Sequence, residues 1–257
     1  LSDNSITDLS PLAGMTELMN LYVDGNDITD LSPLAEMTQM RYINVGDNPN
    51  LTDLSPLSGM TEMENIDFQN LLVSDLSFLS GMTRVEYLNL SSIPAGTDLS
   101  PLKNLSSVKS LNIQSPEAPI GDLSFLSGMT GLQELYIYGI FESLTLPDLS
   151  GLTNLATLQL NPASDYILPE LDLSPLEGVT SLQSLTLYVN TTAPLDLAPL
   201  AGMTEMRELT LNSNSTAPMD LSPLSGMTKM QSLDIRGNIQ STAPLLNMTE
   251  VTELDLY

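Results

Sequence analysis

One sequence block recurs through the whole chain at nearly constant spacing. Each copy reads Asp-Leu-Ser-Pro-Leu or a close variant, followed by a Met-Thr or Leu-Thr pair and then by Leu-x-x-Leu-x-Leu. A period of 22 to 26 residues predicts a solenoid, in which each repeat buries its apolar edge against its neighbours and a long face stays open. The first Asp of the block stands at Asp8, Asp30, Asp53, Asp75, Asp98, Asp122, Asp148, Asp172, Asp196 and Asp220.

The first half of each repeat is predicted to form a short helical turn. In the template of residues 8–30, Ser10 suits the N-cap, and Pro11 suits the first helical position, where a missing N–H costs nothing. Gly14 is expected to end the turn in the left-handed conformation. Met15 and its equivalents in the other repeats are expected to point inward as flexible core filler.

The second half of each repeat is predicted to form a short strand. Leu18, Leu21 and Val23 are the expected buried residues, and alternation around Leu21 sends Asn20 and Tyr22 outward. Ten further copies of this frame predict eleven parallel strands. The fold class is therefore an α/β solenoid: a leucine-rich-repeat right-handed superhelix with one parallel concave β-sheet and short helical turns and loops on the convex side.

The repeats run to both ends of the chain. The sequence therefore predicts a single leucine-rich-repeat domain over residues 1–257, with about eleven repeats of 22–26 residues. Solenoids normally need polar caps on their outermost repeats, and neither end carries one. We expect the chain to be a fragment of a longer protein whose caps lie outside it.

The composition excludes several function classes. With 7 Lys plus Arg against 32 Asp plus Glu, the surface repels phosphate, so nucleic acid and anionic membranes are poor partners. Proteins, basic ones above all, and neutral glycans are better ones. The chain has no Cys and no His, which removes Cys/His zinc sites, thiol nucleophiles and Ser-His-Asp relays. No apolar run is long enough to insert in a membrane. We expect no enzyme, no catalytic residue and no cofactor.

Residues 18–34 carry the most complete copy of the repeat, Leu-x-x-Leu-x-Val-x-x-Asn-x-Ile-x-Asp-Leu-Ser-Pro-Leu. This pattern resembles the internalin-type, SDS22-like bacterial leucine-rich repeats. The resemblance implies an exported, often surface-anchored protein that binds host or neighbouring-cell proteins on its concave sheet. The Asn after the strand occurs at Asn4, Asn26 and Asn48 and is then largely lost, so the asparagine ladder of such repeats is expected to break.

Exposed aromatic residues on the predicted sheet are the clearest sign of a binding surface, because they offer large contact area at low entropic cost. The alternative is that aromatic residues simply favour strands and pair across them. We place the centre at Tyr136, Tyr138 and Tyr188. The predicted ligand-binding residues of the concave face are Tyr22, Tyr42, Tyr87, Glu134, Tyr136, Tyr138, Tyr188, Glu208 and Asn212.

The recurring Asp places up to ten carboxylates along one edge of the solenoid. One interpretation of these carboxylates is that they bind calcium, which takes several oxygen ligands. The interpretation we favour is local capping, because each Asp precedes a turn whose N–H groups need acceptors. No metal ligand is therefore assigned.

Three functions fit these observations. The first is a protein-binding or adhesion module of an exported microbial surface protein, located outside the cell or at its surface. The second is a structural role, in which repeats associate end to end into an extracellular fibre or surface layer. The third is an intracellular regulator of protein phosphatases, as the resemblance to SDS22-like repeats implies.

Overall fold

The computed structural model describes residues 1–140, 145–162, 170–189 and 191–257, apart from the side chains at 116–118 and 189. The chain forms two compact units, Leu1–Leu132 and Gln133–Tyr257. The expectation of a single domain stays a prediction.

The first unit contains five parallel strands, and each pairs with the next along the chain. The central apolar residues of the strands lie level with one another, for example Leu21 with Ile43 and Ile66 with Leu88. Repeats of constant length produce this register, because every strand begins at the same point of its repeat. The strands are β1 (Asn20–Tyr22), β2 (Tyr42–Asn44), β3 (Asn65–Asp67), β4 (Tyr87–Ser91) and β5 (Ser110–Pro119).

The strands of the second unit are β6 (Glu134–Ile140), β7 (Thr157–Pro162), β8 (Ser184–Val189), β9 (Glu208–Ser213), β10 (Pro218–Met219), β11 (Ser232–Arg236), β12 (Asn238–Ile239) and β13 (Glu253–Leu256). Six of them form a parallel arrangement like that of the first unit, in the order β6-β7-β8-β9-β11-β13. A separate parallel pair, β10 with β12, joins two connecting loops of this unit. The predicted solenoid of strand-and-turn repeats is thus confirmed.

The helical turns are all 3₁₀ helices of three to five residues, and the described residues contain no α-helix. None of the described helices is long and apolar enough to cross a lipid bilayer. Proline favours these turns by fixing φ near their first residue. The helices are Ser10–Leu12, Ser32–Leu34, Ser55–Gly59, Ser77–Gly81, Ser100–Asn104, Ser124–Gly128, Ser174–Leu176, Ala198–Leu200, Ser222–Gly226 and Ala243–Leu245.

In nine of the ten described 3₁₀ turns the recurring Asp bonds the N–H of the first turn residue, and the expected N-cap role of Ser10 is wrong. Leu9 is the N-cap and makes no side-chain capping bond. Asp8 Oδ1 instead accepts the N–H of Ser10 at 2.8 Å, and Asp8 Oδ2 accepts its hydroxyl at 2.8 Å. The same backbone bond, at 2.7–2.9 Å, recurs at the other nine aspartates of the series. Capping therefore accounts for the position of the Asp in every repeat.

The glycines after the turns do not have the expected conformation. Among Gly14 and its equivalents, only Gly178 has a positive φ, at 89°. At Gly128 close packing explains why the residue is glycine: a Cβ there would overlap the carbonyl oxygen of Lys103 in the preceding turn. The left-handed residue of the early repeats instead follows the strand, at Gly25, Asp47, Asn70 and Ser92, and Asp3 has the same conformation at the position equivalent to Gly25.

The core consists of the inward residues of strands and turns, and most of the predicted methionines belong to it. Met37 and Met60 are fully buried, whereas Met15 is 50% exposed. At the other end Leu254 is 54% exposed. The prediction is wrong at these two positions for one reason: an inward side chain of an outermost repeat has a neighbouring repeat on one side only.

The asparagine ladder is present in the early repeats and then changes chemistry. Asn48 is fully buried, and its Oδ1 accepts the N–H of Ile28 at 2.9 Å. Its Nδ2 donates to three backbone carbonyl groups. The next two equivalents are Leu71 and Ile93, and Leu71 is 3% exposed. The ladder therefore ends as predicted, and apolar packing takes its place.

Candidate functional site

The predicted binding residues of the second unit lie on the face of the sheet that points away from the core. In β6, Leu135 and Ile137 are buried. Glu134, Tyr136 and Tyr138 alternate with them and point outward. The same alternation in β8 exposes Tyr188 to 44% above a buried neighbour, Leu187. This solvent face is therefore free of any role in closing the core.

The register sorts the outward side chains of the second unit into three rows across the strands. The first row runs through Glu134, Thr157, Ser184, Glu208, Ser232 and Glu253. The second row runs through Tyr136, Gln159, Thr186, Thr210, Asp234 and Asp255. The third row begins with Tyr138 level with Asn161, and includes Tyr188, Asn212 and Arg236 further along.

Tyr138 and Tyr188 belong to the same row of the sheet, and of the two predicted glutamates only Glu134 lies beside a tyrosine, Tyr136. Tyr138 and Tyr188 stand at matching heights on β6 and β8, roughly 10 Å apart, since parallel strands are spaced by about 4.8 Å. Asn212 is level with Tyr188 on the next strand. Glu134 and Glu208 lie three strands apart in the first row, and Glu208 accepts the hydroxyl of Ser184 at 3.1 Å.

Sequence reasoning missed the polar residues of β7, between the two tyrosine strands. Asn161 follows Tyr138 in the third row, and its Oδ1 is buried without a hydrogen bond from any described residue. Gln159 lies beside Tyr136 in the second row. Both residues occupy outward positions of the strand pattern, which is the signal that could have identified them.

Charges on this face are few and mostly negative. Burial, followed by the nearby Glu134 carboxylate, raises the pKa of Tyr136, so its hydroxyl stays protonated at neutral pH. Arg236 Nε lies 3.6 Å from Asp234 Oδ1, and its guanidinium carbon lies 4.9 Å from the centre of the Tyr257 ring. The second unit thus holds one cation on its sheet, between a carboxylate and an aromatic ring.

The first unit presents the remaining predicted tyrosines on its own solvent face. Tyr22 and Tyr42 stack with ring centres 4.6 Å apart and a tilt of 32°. Tyr87 lies two strands beyond Tyr42 in the same row, with Asn65 between them. Tyr22 is 48% exposed and Tyr87 is 37% exposed. The predicted pairing of aromatics across strands is therefore seen for Tyr22 and Tyr42 while both remain accessible.

A line of amide and carboxyl groups crosses the sheet beside these tyrosines. Asn112 donates to Asn89 at 3.1 Å, and Asn89 donates to Asp67 Oδ1 at 3.0 Å. Burial raises the pKa of Asp67, although this bond and the N–H of Gln69 oppose the shift. The carboxylate is half-buried, and the negative charges of Asp24 and Asp47 raise its pKa further.

The solvent faces of the described residues offer aromatic rings, amides, hydroxyls and carboxylates, which are groups that can contact a ligand. Within the described ranges, no group of three or more His, Cys, Asp and Glu side chains is placed to hold a metal ion.

The parallel strands, the Asp-capped turns and the buried leucine frame define a leucine-rich-repeat protein. In structure the chain is similar to internalins and to other leucine-rich-repeat proteins. An internalin (inlF) from Listeria monocytogenes is 26% identical over 99% of this chain and 78% of its own, with a TM-score of 0.78. The Leptospira interrogans protein LIC12759 is 14% identical over 99% and 71%, with a TM-score of 0.73.

A third similar structure contains a bound partner. The ectodomain of the Arabidopsis thaliana receptor kinase GASSHO1/SCHENGEN3, in complex with CASPARIAN STRIP INTEGRITY FACTOR 2, has a TM-score of 0.75 at 16% identity. The match covers 97% of this chain and 31% of the receptor. No protein-family model and no curated protein matches the chain.

Proposed function

We propose that the protein is a non-enzymatic protein-binding module that acts outside the cell or at its surface. The ligand contacts the solvent face of the second unit, around Tyr136, Tyr138 and Tyr188. One observation carries this proposal: Tyr138 and Tyr188 are 38% and 44% exposed over a closed core. Because these rings contribute little to folding, their contact area is available to a partner.

The comparisons and the charge support the same class of partner. The leucine-rich-repeat fold suggests protein binding, and one similar structure is a receptor ectodomain in complex with its partner. Likeness to an internalin favours a surface location and adhesion. The net charge of −25 favours a neutral or basic protein over nucleic acid or an anionic membrane.

The proposal is tested by two variants measured against a panel of purified extracellular proteins. Tyr138→Ala combined with Tyr188→Ala removes the centre of the face. Affinity for any partner found should fall by about 5- to 150-fold, which corresponds to 1–3 kcal/mol for a hot spot. The matched control is Glu177→Ala, at an exposed turn residue on the opposite side of the repeat.

The affinity of the control should equal that of the wild type. A partner that binds the double variant normally, and loses affinity with Glu177→Ala, would place the binding surface on the turns and overturn the proposal.

A further inference from the structure

Three of the predicted tyrosines and two carboxylates lie along four consecutive strands, β1 to β4, on the solvent face of the first unit. The tyrosine–aspartate cluster comprises Tyr22, Tyr42, Tyr87, Asp24 and Asp67. Asp67 lies one strand from Tyr42 and one strand from Tyr87, and burial followed by the Asp67 carboxylate raises the pKa of both tyrosine hydroxyls. Tyr22, Asp24 and Tyr87 raise the pKa of Tyr42 further. The cluster is therefore centred on Tyr42.

The cluster has acceptors without a cation. Asp67 receives the N–H of Gln69 and the amide of Asn89, both on Oδ1, while Oδ2 accepts no hydrogen bond from the described residues. Neither Asp24 nor Asp67 forms an ion pair with any described Lys or Arg. The rings of Tyr22 and Tyr42 add negative π-faces to these carboxylates.

The four Lys and Arg residues of the first unit lie outside the cluster. Three of them pair with glutamates of the neighbouring repeat, and all three pairs lie before the strands. Lys103 belongs to a 3₁₀ helix in the turn half of its repeat. The pairs are Arg41 with Glu64, Arg84 with Glu62 and Glu64, and Lys109 with Glu86.

In the second unit, a tyrosine and an aspartate hold a cation. There Arg236 lies over the Tyr257 ring at 4.9 Å and beside Asp234 at 3.6 Å. Outward tyrosine and aspartate side chains of this repeat frame thus hold a guanidinium group when the chain supplies one. The cluster of the first unit has the same residue types and, among the described residues, no such group.

We propose that the tyrosine–aspartate cluster binds an arginine or lysine side chain of a protein partner. This site rests on the proposed function, and it adds a second contact, at which the partner presents a basic side chain. Planar guanidinium stacks on tyrosine and reaches a carboxylate at the same time, so arginine is preferred over lysine. Retaining the half-buried charge of Asp67 is unfavourable for the free protein, and a bound cation would offset that cost.

The test uses two peptides that differ in charge alone. The probes are acetyl-Gly-Arg-Gly-amide and the same peptide with neutral citrulline in place of arginine, titrated by NMR at constant ionic strength. The arginine peptide should bind the wild type about fivefold more tightly than the citrulline peptide, and should shift the ring signals of Tyr22 and Tyr42. Equal affinity for the two peptides would overturn the inference.

Two variants separate this site from general attraction to an acidic protein. Asp67→Asn keeps an oxygen for Gln69 and Asn89 and removes the charge. It should reduce the preference for arginine to within about twofold. Asp196→Asn removes the same charge from a capping residue and should leave the preference unchanged. If both variants behave alike, the attraction is non-specific and the inference is wrong.

A second pair of variants tests the aromatic part. Tyr42→Leu should lower the affinity for the arginine peptide, while Tyr42→Phe should preserve it because the ring remains. Loss with Phe as well as Leu would contradict a cation–π contact. The proposed function fails separately: the cluster can select arginine while Tyr138→Ala with Tyr188→Ala leaves partner binding intact, or the reverse.

Discussion

At the scale of single residues, the recurring Asp is a structural device. Its side chain accepts backbone and hydroxyl hydrogen bonds, and these bonds lower the pKa of Asp8, Asp98 and Asp172, among others. The sequence allowed capping to be predicted, because an acid two residues before a turn meets its free N–H. The predicted cap at Ser10 is wrong, since serine is itself a good N-cap and the spacing alone does not distinguish Ser10 from Asp8.

The lowered pKa values predict a specific loss of stability in acid. Each affected carboxylate is ionised more readily in the folded protein, so its stabilising effect is complete above the ordinary aspartate pKa of about 4 and is lost as the pH falls below it. A variant with Asp98, Asp122, Asp172 and Asp220 changed to Asn should lose less stability between about pH 4 and pH 2 than the wild type. Urea unfolding at each pH measures the difference.

A matched control separates capping from charge repulsion. Changing the exposed Glu17, Glu36, Glu170 and Glu250 to Gln alters the net charge equally, without removing a capping carboxylate. This variant should show the acid loss of the wild type. Parallel curves for the wild type and the Asn variant would contradict the capping account.

The two asparagines at equivalent positions should differ sharply in importance. Asn48 is fully buried and makes four hydrogen bonds to the backbone, whereas Asn4 is exposed. Asn48→Ala should lower the free energy of unfolding by about 2–4 kcal/mol, because buried backbone groups lose their partners. Asn4→Ala, measured in the same urea titrations, should change it by less than about 0.5 kcal/mol. Equal effects would show that burial does not decide the role of the ladder.

At the scale of the elements, the repeat predicts where strands and turns occur but not their details. The predicted burial of the inward strand residues is correct in all interior repeats, because each of these residues has a neighbouring repeat on both sides. The repeat at Asp148 has no 3₁₀ helix: Gly151 directly follows Ser150, so the Pro-Leu-Ala of the template is missing. The cap nevertheless remains, with Asp148 accepting the N–H of Ser150 at 2.8 Å.

Equivalent strand leucines give a direct test of the packing. Leu135 is fully buried in β6, and Leu254 is 54% exposed in β13. Leu135→Ala should lower the free energy of unfolding by about 2–5 kcal/mol, through lost burial and a cavity. Leu254→Ala should cost less than about 1 kcal/mol, because little apolar area is removed from the core. Denaturant unfolding of both variants measures this contrast, and similar losses would show that the register is wrong.

At the scale of the whole molecule, the dominant quantity is a net charge of −25. Excess charge of one sign opposes compaction and steers partners of the opposite sign. The composition alone predicts the acidity. It does not predict the tyrosine–aspartate cluster, because that cluster depends on which strands are neighbours and on which cations already have partners.

Salt should stabilise this protein by screening, without a specific role for calcium. Raising NaCl from about 20 mM to about 300 mM should increase the melting temperature, because the Debye length shortens below the spacing of many carboxylates. CaCl₂ at matched ionic strength should give a similar rise, since the aspartates already serve as caps. A much larger rise with calcium, reversed by chelator, would reveal ion sites along the Asp series.

The most direct test of the account is site-specific photo-crosslinking to a partner from the two sides of one repeat array. A benzoylphenylalanine at position 188 replaces an exposed tyrosine of the sheet face, and one at position 201 occupies an exposed turn. We expect a discrete adduct with the partner from position 188 alone. Excess unlabelled wild type should suppress that adduct, and the variant with Tyr138→Ala and Tyr188→Ala should not. Adducts from position 201 with none from position 188 would contradict binding on the sheet face.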